Sequence, residues 1–160
     1  MPQTTFPHIG VVRSPFTNPK GMPIQPVGAK GIEGEVEVFE QYAEGLADLD
    51  GFSHIYLLYH FHKARGVELK VVPYMDTVER GVFATRSPLR PAHIGLSVVE
   101  LVKAEGNRLL IRDVDMLDGT PVLDIKPYLH QFDSRENACT GWMNSNEREI
   151  RERRSDDRFA

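Results

Sequence analysis

Eight short runs of strand-like character, parted by turns rich in glycine and proline, limit what this 160-residue chain can fold into. The clearest is SHIYLLYHFHK (Ser53–Lys63), dense in aromatic, leucine and isoleucine side chains, which reads as a central strand. EGEVEVF (Glu33–Phe39) alternates acid and apolar residues with period two, as a half-exposed strand does. Phe6–Ser14, Glu68–Val72, Gly81–Thr85, Leu96–Ala104, Arg108–Val114 and Pro121–Tyr128 read as further strands, with Glu105–Asn107 as a hairpin turn. Helical signal is confined to a short stretch at Tyr42–Phe52 and to a charged tail, Asn144–Arg158. Many short strands with few helices predict an all-β barrel or sandwich. The absence of strand–helix alternation and of a GxGxxG turn disfavours a Rossmann fold.

Composition narrows the partners. Lys and Arg number 19 against 23 Asp and Glu, a formal charge of -4, so the overall field does not attract DNA or RNA and any nucleic-acid contact needs a local basic patch. The single cysteine, Cys139, forms no disulfide within the chain, which fits a reducing compartment. With no signal-like N-terminus and no apolar run of spanning length, the expectation is a cytoplasmic protein without membrane contact.

Four stretches are candidates for chemistry. SPFTNPKGMPIQPVGAKG (Ser14–Gly31) carries four prolines and three glycines, a long stiffened loop of the kind that often serves function. RSPLRP sets Arg86 and Arg90 four residues apart, with Pro88 and Pro91 lowering the entropy of the loop that carries them. A preorganised guanidinium pair suits carboxylate or phosphate, although surface pairing with nearby acids would use the same residues. DVDMLDGTPVLDIKPY (Asp113–Tyr128) crowds Asp113, Asp115, Asp118 and Asp124 without the spacing of a calcium loop. Asp118 suits a structural turn, and a carboxylate there can also accept from a ribose or a ligand ammonium. HFH places His60 and His62 on one face of a strand, more in keeping with a packed or ligand-touching histidine than with a metal, since no third ligand has telling spacing. No metal is expected. NEREIRERRSDDR in the tail reads as a solvated helix held by i,i+4 pairs, with RNA phosphates as the alternative partner of its arginines.

Taken together, HIGVVRSPF, IQP, GLADLDGFSHIYLLYHFH, GVFATRSPLRPAHIGLSVVEL and DMLDGTPVLDIKPY resemble the TsaA-like family, in collinear order from Phe6 to Tyr128. One departure is Ala92, where the family usually has Asn. The resemblance implies a small closed β-barrel with one or two short helices, residues 1–140, followed by a charged helical tail, 141–160, and without the additional C-terminal domain of longer bacterial members. It implies a homodimer that binds S-adenosyl-L-methionine and methylates N6 of threonylcarbamoyladenosine at position 37 of tRNA. By motif position, cofactor contacts fall on Pro26, Val27, Gly28, His62, Lys63, Arg86, Leu96, Asp115, Met116, Leu117 and Asp118. Within that reading Arg86, Arg90 and His62 are the candidate catalytic residues, Arg86 holding the cofactor or the threonyl carboxylate, Arg90 touching substrate and His62 acting as base. The rivals are a module that only binds S-adenosylmethionine and a methyltransferase of a small molecule.

Overall fold

A computed structural model describes residues 2–143 and 147–159. Six strands close into an antiparallel barrel in the order β1, β2, β7, β6, β3, β8, with β8 returning to β1. They are β1 (Gly10–Arg13), β2 (Glu33–Val38), β3 (His54–His60), β6 (Ile94–Glu105), β7 (Arg108–Arg112) and β8 (Pro121–Pro127). A separate two-stranded ribbon pairs β4 (Lys70–Val71) with β5 (Arg80–Gly81). Two short α-helices follow, α1 (His130–Asp133) and α2 (Glu147–Glu152). The all-β expectation is met, as a barrel rather than a sandwich. None of the described helices is long and apolar enough to cross a membrane.

Period-two patterning builds this barrel. Along β3 the odd positions Ile55, Leu57 and Tyr59 are buried while His54, Tyr56, Leu58 and His60 are half-exposed. Ile55 and Leu57 meet Val12, Val36, Val99, Leu109, Ile111 and Val122 in the interior. Each such side chain contributes about 2 kcal/mol by leaving water. On the outer face the β2 acids find cross-strand cations: Glu35 bonds Arg108 at 2.9 Å, and Glu33 bonds Arg112 at 3.3 Å. Closure needs bends, and the ladders supply two. The β6–β7 register shifts between Leu101 and Lys103, and the β3–β8 register between Leu58 and Tyr59. β6 is long enough to pair β3 through its first half and β7 through its second.

Three expected elements differ. The strand read over Gly81–Thr85 is only the end of β5, followed by a 3-10 turn, Val82–Ala84, in which Val82 is buried and Phe83 is 75% exposed. Thr85 Oγ1 donates to the Val82 carbonyl at 2.8 Å, closing that turn and competing with a ladder. The strand read over Glu68–Val72 shrinks to the two residues of β4. The helix read over Tyr42–Phe52 is two 3-10 turns, Glu40–Leu46 and Leu49–Gly51, broken at Asp48, whose φ of 67° lies in the left-handed region. In the tail, Asn144–Asn146 lie outside the described residues. Beyond α2 the tail is extended at Arg154, which bridges antiparallel to Pro23.

Candidate functional site

Three sequence-distant segments meet at Arg86. Its Nη1 donates to Gln25 Oε1, directly before the 3-10 turn Pro26–Ala29. Burial raises the proton affinity of Asp115 and Tyr59, and the Arg86 charge, within electrostatic reach of both, opposes that rise. The proline-braced loop, the stiff Ser14–Gly31 loop and the aspartate segment after β7 thus converge at one end of the barrel.

The proline loop is built to present Arg86 outward. Ser87 Oγ accepts the Leu89 N–H at 3.2 Å, and Leu89 is buried with Val71 and Val82 in a second small apolar cluster. Arg90 turns inward, its Nη1 donating to the carbonyls of Thr85 (2.9 Å) and Ser87 (3.4 Å). Arg90 therefore clasps its own loop, and only Nε and Nη2 are left for a substrate. His93 takes φ 51° and bonds the Pro88 carbonyl through Nδ1 at 2.8 Å, which closes the loop from its far side.

The aspartate segment divides. Asp115 Oδ1 accepts from Ser97 Oγ at 2.8 Å, and Ser97 Oγ lies 3.0 Å from the Tyr59 hydroxyl. Desolvation pushes the Asp115 carboxyl up to about 7, against the opposing pull of Ser97 and Arg86. Met116 sends its side chain into the barrel core, and its carbonyl accepts from Ser14 Oγ at 2.6 Å. Asp118 Oδ1 accepts the Ser14 N–H at 3.1 Å, and its own N–H donates to the Phe16 carbonyl at 2.7 Å. Asp118 thus pins the start of the long loop, beside a shallow groove of about 350 Å³ lined also by Arg13, Glu33 and Glu35. Asp113 bonds the Gly31 N–H and Asp124 the Ile125 N–H. The four aspartates do not converge, and no group of three or more His, Cys, Asp or Glu among the described residues is placed to hold a metal.

The other expected contacts spread around this end. Gly28 is buried against the tail, where an added Cβ would stand 3.3 Å from the Arg151 carbonyl oxygen. Leu96 projects from the outer face of β6, 44% exposed. Lys63 is exposed. His62 and His60 do not share a strand face, because β3 ends at His60 and the His62 N–H turns back onto the His60 carbonyl at 2.8 Å. His60 instead neighbours His8 and His93, at ring-centroid distances of 6.2 and 6.3 Å. Burial holds the His62 imidazole below its ordinary value, and its ring has no hydrogen-bond partner among the described residues.

Sequence reasoning missed Tyr59 and Ser97, which read as ordinary positions of core strands. The available signal was parity: both polar groups fall in register with the inward residues, Tyr59 with Leu57 and Ser97 with Val99. The tail, read as a solvated helix with RNA phosphates as the alternative partner of its arginines, also makes contacts within the chain that the reading did not include. Ser155 exchanges main-chain bonds with Gly21 (2.9 Å) and Met22 (2.8 Å), while its hydroxyl donates to the Pro19 carbonyl at 2.6 Å. Arg158 donates to the Pro73 carbonyl at 2.7 Å, and Phe159 packs on the Val71–Val82–Leu89 cluster. The tail straps the long loop to the ribbon.

Residues 11–134 match the family model described as the tRNA-methyltransferase O N-terminal domain. A Pyrococcus abyssi protein named as a probable S-adenosyl-L-methionine-binding protein is 56% identical over 151 residues, 94% of this chain and 82% of that one. The Escherichia coli tRNA (adenine(37)-N6)-methyltransferase is 37% identical over 88% of this chain and 64% of its own length. The crystal structure of TrmO from Pseudomonas aeruginosa superposes with a TM-score of 0.77 at 38% identity, covering 89% of this chain and 64% of that one. The TsaA-like resemblance and the barrel are both supported by these relatives, and the chain belongs to the tRNA-methyltransferase O N-terminal domain family.

Proposed function

We propose that this protein transfers a methyl group from S-adenosyl-L-methionine to an adenosine of tRNA, at N6 of threonylcarbamoyladenosine 37. The observation that carries the reading is the hydrogen bond from Arg86 of the proline loop to Gln25 of the loop before Pro26, with Asp115 within reach of the Arg86 charge, inside a chain of this family. The donor set fits the cofactor. A guanidinium suits its carboxylate, the Asp115 and Asp118 carboxylates suit its ammonium or ribose hydroxyls, and Leu96 offers apolar surface to a base. Pro26, Val27, Gly28, His62, Lys63, Met116 and Leu117 would complete the cradle, Met116 through its main chain because its side chain is in the core. When bound, the cofactor supplies an electrophilic methyl on a sulfonium.

The protein's contribution is alignment. Transfer in line needs the acceptor nitrogen, the methyl and the sulfur held on one axis, and loops stiffened by Pro26, Pro88 and Pro91 do that at low entropic cost. Arg86 holds cofactor or the threonyl carboxylate, with Gln25 fixing its fork. Arg90 keeps the loop folded and reaches substrate through its remaining donors. We further propose that two copies assemble and pool their arginine loops into a local positive groove, which offsets the net charge of -4 on each chain. Residues 141–160 we read as an arm on the barrel domain of residues 1–140. A cytoplasmic setting accords with the exposed single thiol of Cys139.

The test is methylation of tRNA carrying threonylcarbamoyladenosine by the purified protein, read by mass spectrometry of the released nucleosides. The expected result is one added methyl at that nucleoside, lost in Arg86→Ala with the fold intact. Tight cofactor binding by calorimetry without methylation would instead support a binding module, the reading favoured by the name of the Pyrococcus relative.

A further inference from the structure

The end of the barrel below Arg86 holds a polar chain that packing does not require. Tyr59, Ser97 and Asp115 come from β3, β6 and the segment after β7, and all three lie where their neighbours are apolar. Tyr59 is 6% and Ser97 2% exposed. The Tyr59 ring is held edge-on to Phe61 with 5.4 Å between centroids, and it lies flat over Gly95, where any Cβ would overlap it. No buried side-chain polar atom among the described residues lacks a partner, so these hydroxyls are placed by design of the strands rather than stranded.

The direction of the chain follows from counting hydrogens. Ser97 has one hydroxyl hydrogen and gives it to Asp115 Oδ1. Its 3.0 Å contact with Tyr59 must then be donated by the tyrosine. Burial, with the nearby Asp115 charge second, raises the affinity of Tyr59 for its proton, so it stays a neutral donor. The arrangement is a two-step hydrogen-bond chain that ends on one oxygen of a carboxylate. Among the described residues the other oxygen receives no side-chain hydrogen bond, a main-chain N–H also favours the anion, and Asp115 retains some exposure at the barrel end. The ionisable groups facing this carboxyl are Tyr59 from β3 and Arg86 from the proline loop.

Resting on the methyl-transfer reading above, we propose that Asp115 is the group that takes the proton released by the acceptor nitrogen, and that Ser97 and Tyr59 are positioning residues holding its carboxylate for that step. The step balances. The nitrogen forms its bond to the methyl carbon while the carbon–sulfur bond breaks and sulfur keeps that pair. The N–H pair remains on nitrogen, and the proton passes to the Asp115 oxygen that Ser97 does not bond. Its carboxyl titrates near neutrality, which lets it accept a proton in the reaction and return it to solvent afterwards. His62, whose ring makes no hydrogen bond to orient it, is a poorer candidate on geometry.

The experiment combines three variants with a readout that does not depend on turnover. The Asp115 carboxyl is followed by carbon-13 NMR against pH in the cofactor-free protein. Its midpoint should move upward by about half a pH unit in Tyr59→Phe, and further in Ser97→Ala, because each removes a donor that favours the anion. The acidic limb of the kcat profile should move in the same direction, with cofactor Kd from calorimetry changed less than threefold. Asp115→Asn should lose methyl transfer at saturating cofactor by about 100-fold or more, a loss in kcat beyond any change in cofactor Kd read by calorimetry. An unmoved midpoint in both hydroxyl variants would overturn the positioning roles. Asp115→Asn with full turnover, or turnover lost in His62→Gln but kept in Asp115→Asn, would overturn the assignment of the base. If Asp115→Asn does not fold, the Tyr59→Phe limb decides. Failure of the parent reading is separate, since there the unaltered protein would methylate no tRNA.

Discussion

The barrel and the layer wrapped around one end of it are held together by different physics. Barrel strands satisfy one another through continuous main-chain ladders over an apolar interior, from Val12 and Val36 through Ile55 and Leu57 to Leu109 and Ile111. The outer layer consists of the Ser14–Gly31 loop, the β4–β5 ribbon with the proline loop, and the tail. Its main apolar cluster among the described residues is Val71, Val82 and Leu89 with Phe159 against them. Beyond the β4–β5 ribbon and the short main-chain pairing of the tail with Gly21 and Met22, much of its order comes from side chains reaching main-chain groups: Ser14 to Met116, Arg90 to Thr85, Ser155 to Pro19, Arg158 to Pro73, Trp142 to Ala84. Such contacts are worth about 1 kcal/mol each, so the layer can open without unfolding the barrel. Pro26, Val27, Gly28, Arg86 and Arg90 of the candidate site lie in that layer, and Asp115 sits at the seam.

That contrast can be broken at several points. The largest effect is expected from Leu57→Ala, which empties the barrel centre and should cost about 3 kcal/mol in urea unfolding; a loss below about 1 kcal/mol would mean that the interior is not close-packed. Next comes a pH-graded effect at the seam. The folded protein favours protonated Asp115, with a value of about 7 against an ordinary value of about 4 in the unfolded chain. Between those two pH values the folded state binds more protons than the unfolded one, so this group's contribution to stability falls as pH rises and levels off above the folded value. Asp115→Asn should therefore gain relative to the parent protein from about pH 4 to about pH 7, and thermal melts across that range should show the gap widen. Ser155→Ala should lower global stability by only about 1 kcal/mol while speeding hydrogen exchange at Met22 and weakening cofactor binding several-fold. If exchange at Met22 is unchanged, the tail does not govern the loop. The smallest effect is expected from Glu35→Ala. Its partner Arg108 is exposed, and unfolding should shift by less than about 0.5 kcal/mol.

The same contrast explains what the sequence could reveal. β2 is legible because a half-buried strand must alternate, as the acids and apolar residues of Glu33–Val38 do, and β3 because its aromatic and aliphatic residues are too dense for a loop. The ribbon was overread, since Val82 and Phe83 look like strand residues and only the Thr85 hydroxyl, bonded back to Val82, shows why a turn forms instead. Arg86 was legible through the prolines that flank it. The inward turn of Arg90 was not, because it depends on where two carbonyls of the same loop point. Tyr59 and Ser97 became visible only once inward and outward faces were fixed by register across β3 and β6. The tail's role was hidden for a related reason. Its i,i+4 pair, Arg148 with Glu152, is local and readable, whereas Ser155 meets Pro19 across 136 positions of chain.

A fully occupied interior carries one last implication. With Val12, Val36, Ile55, Leu57, Val99, Leu109 and Ile111 at 0% exposure, the cylinder has no lumen to offer a guest. Recognition is then left to the rim and the outer face, where sequence can drift without disturbing the interior. On the proposed reading, selectivity for one acceptor over another would rest with the loops that meet near Arg86, and exchanging those loops between relatives is the way to test and redirect it.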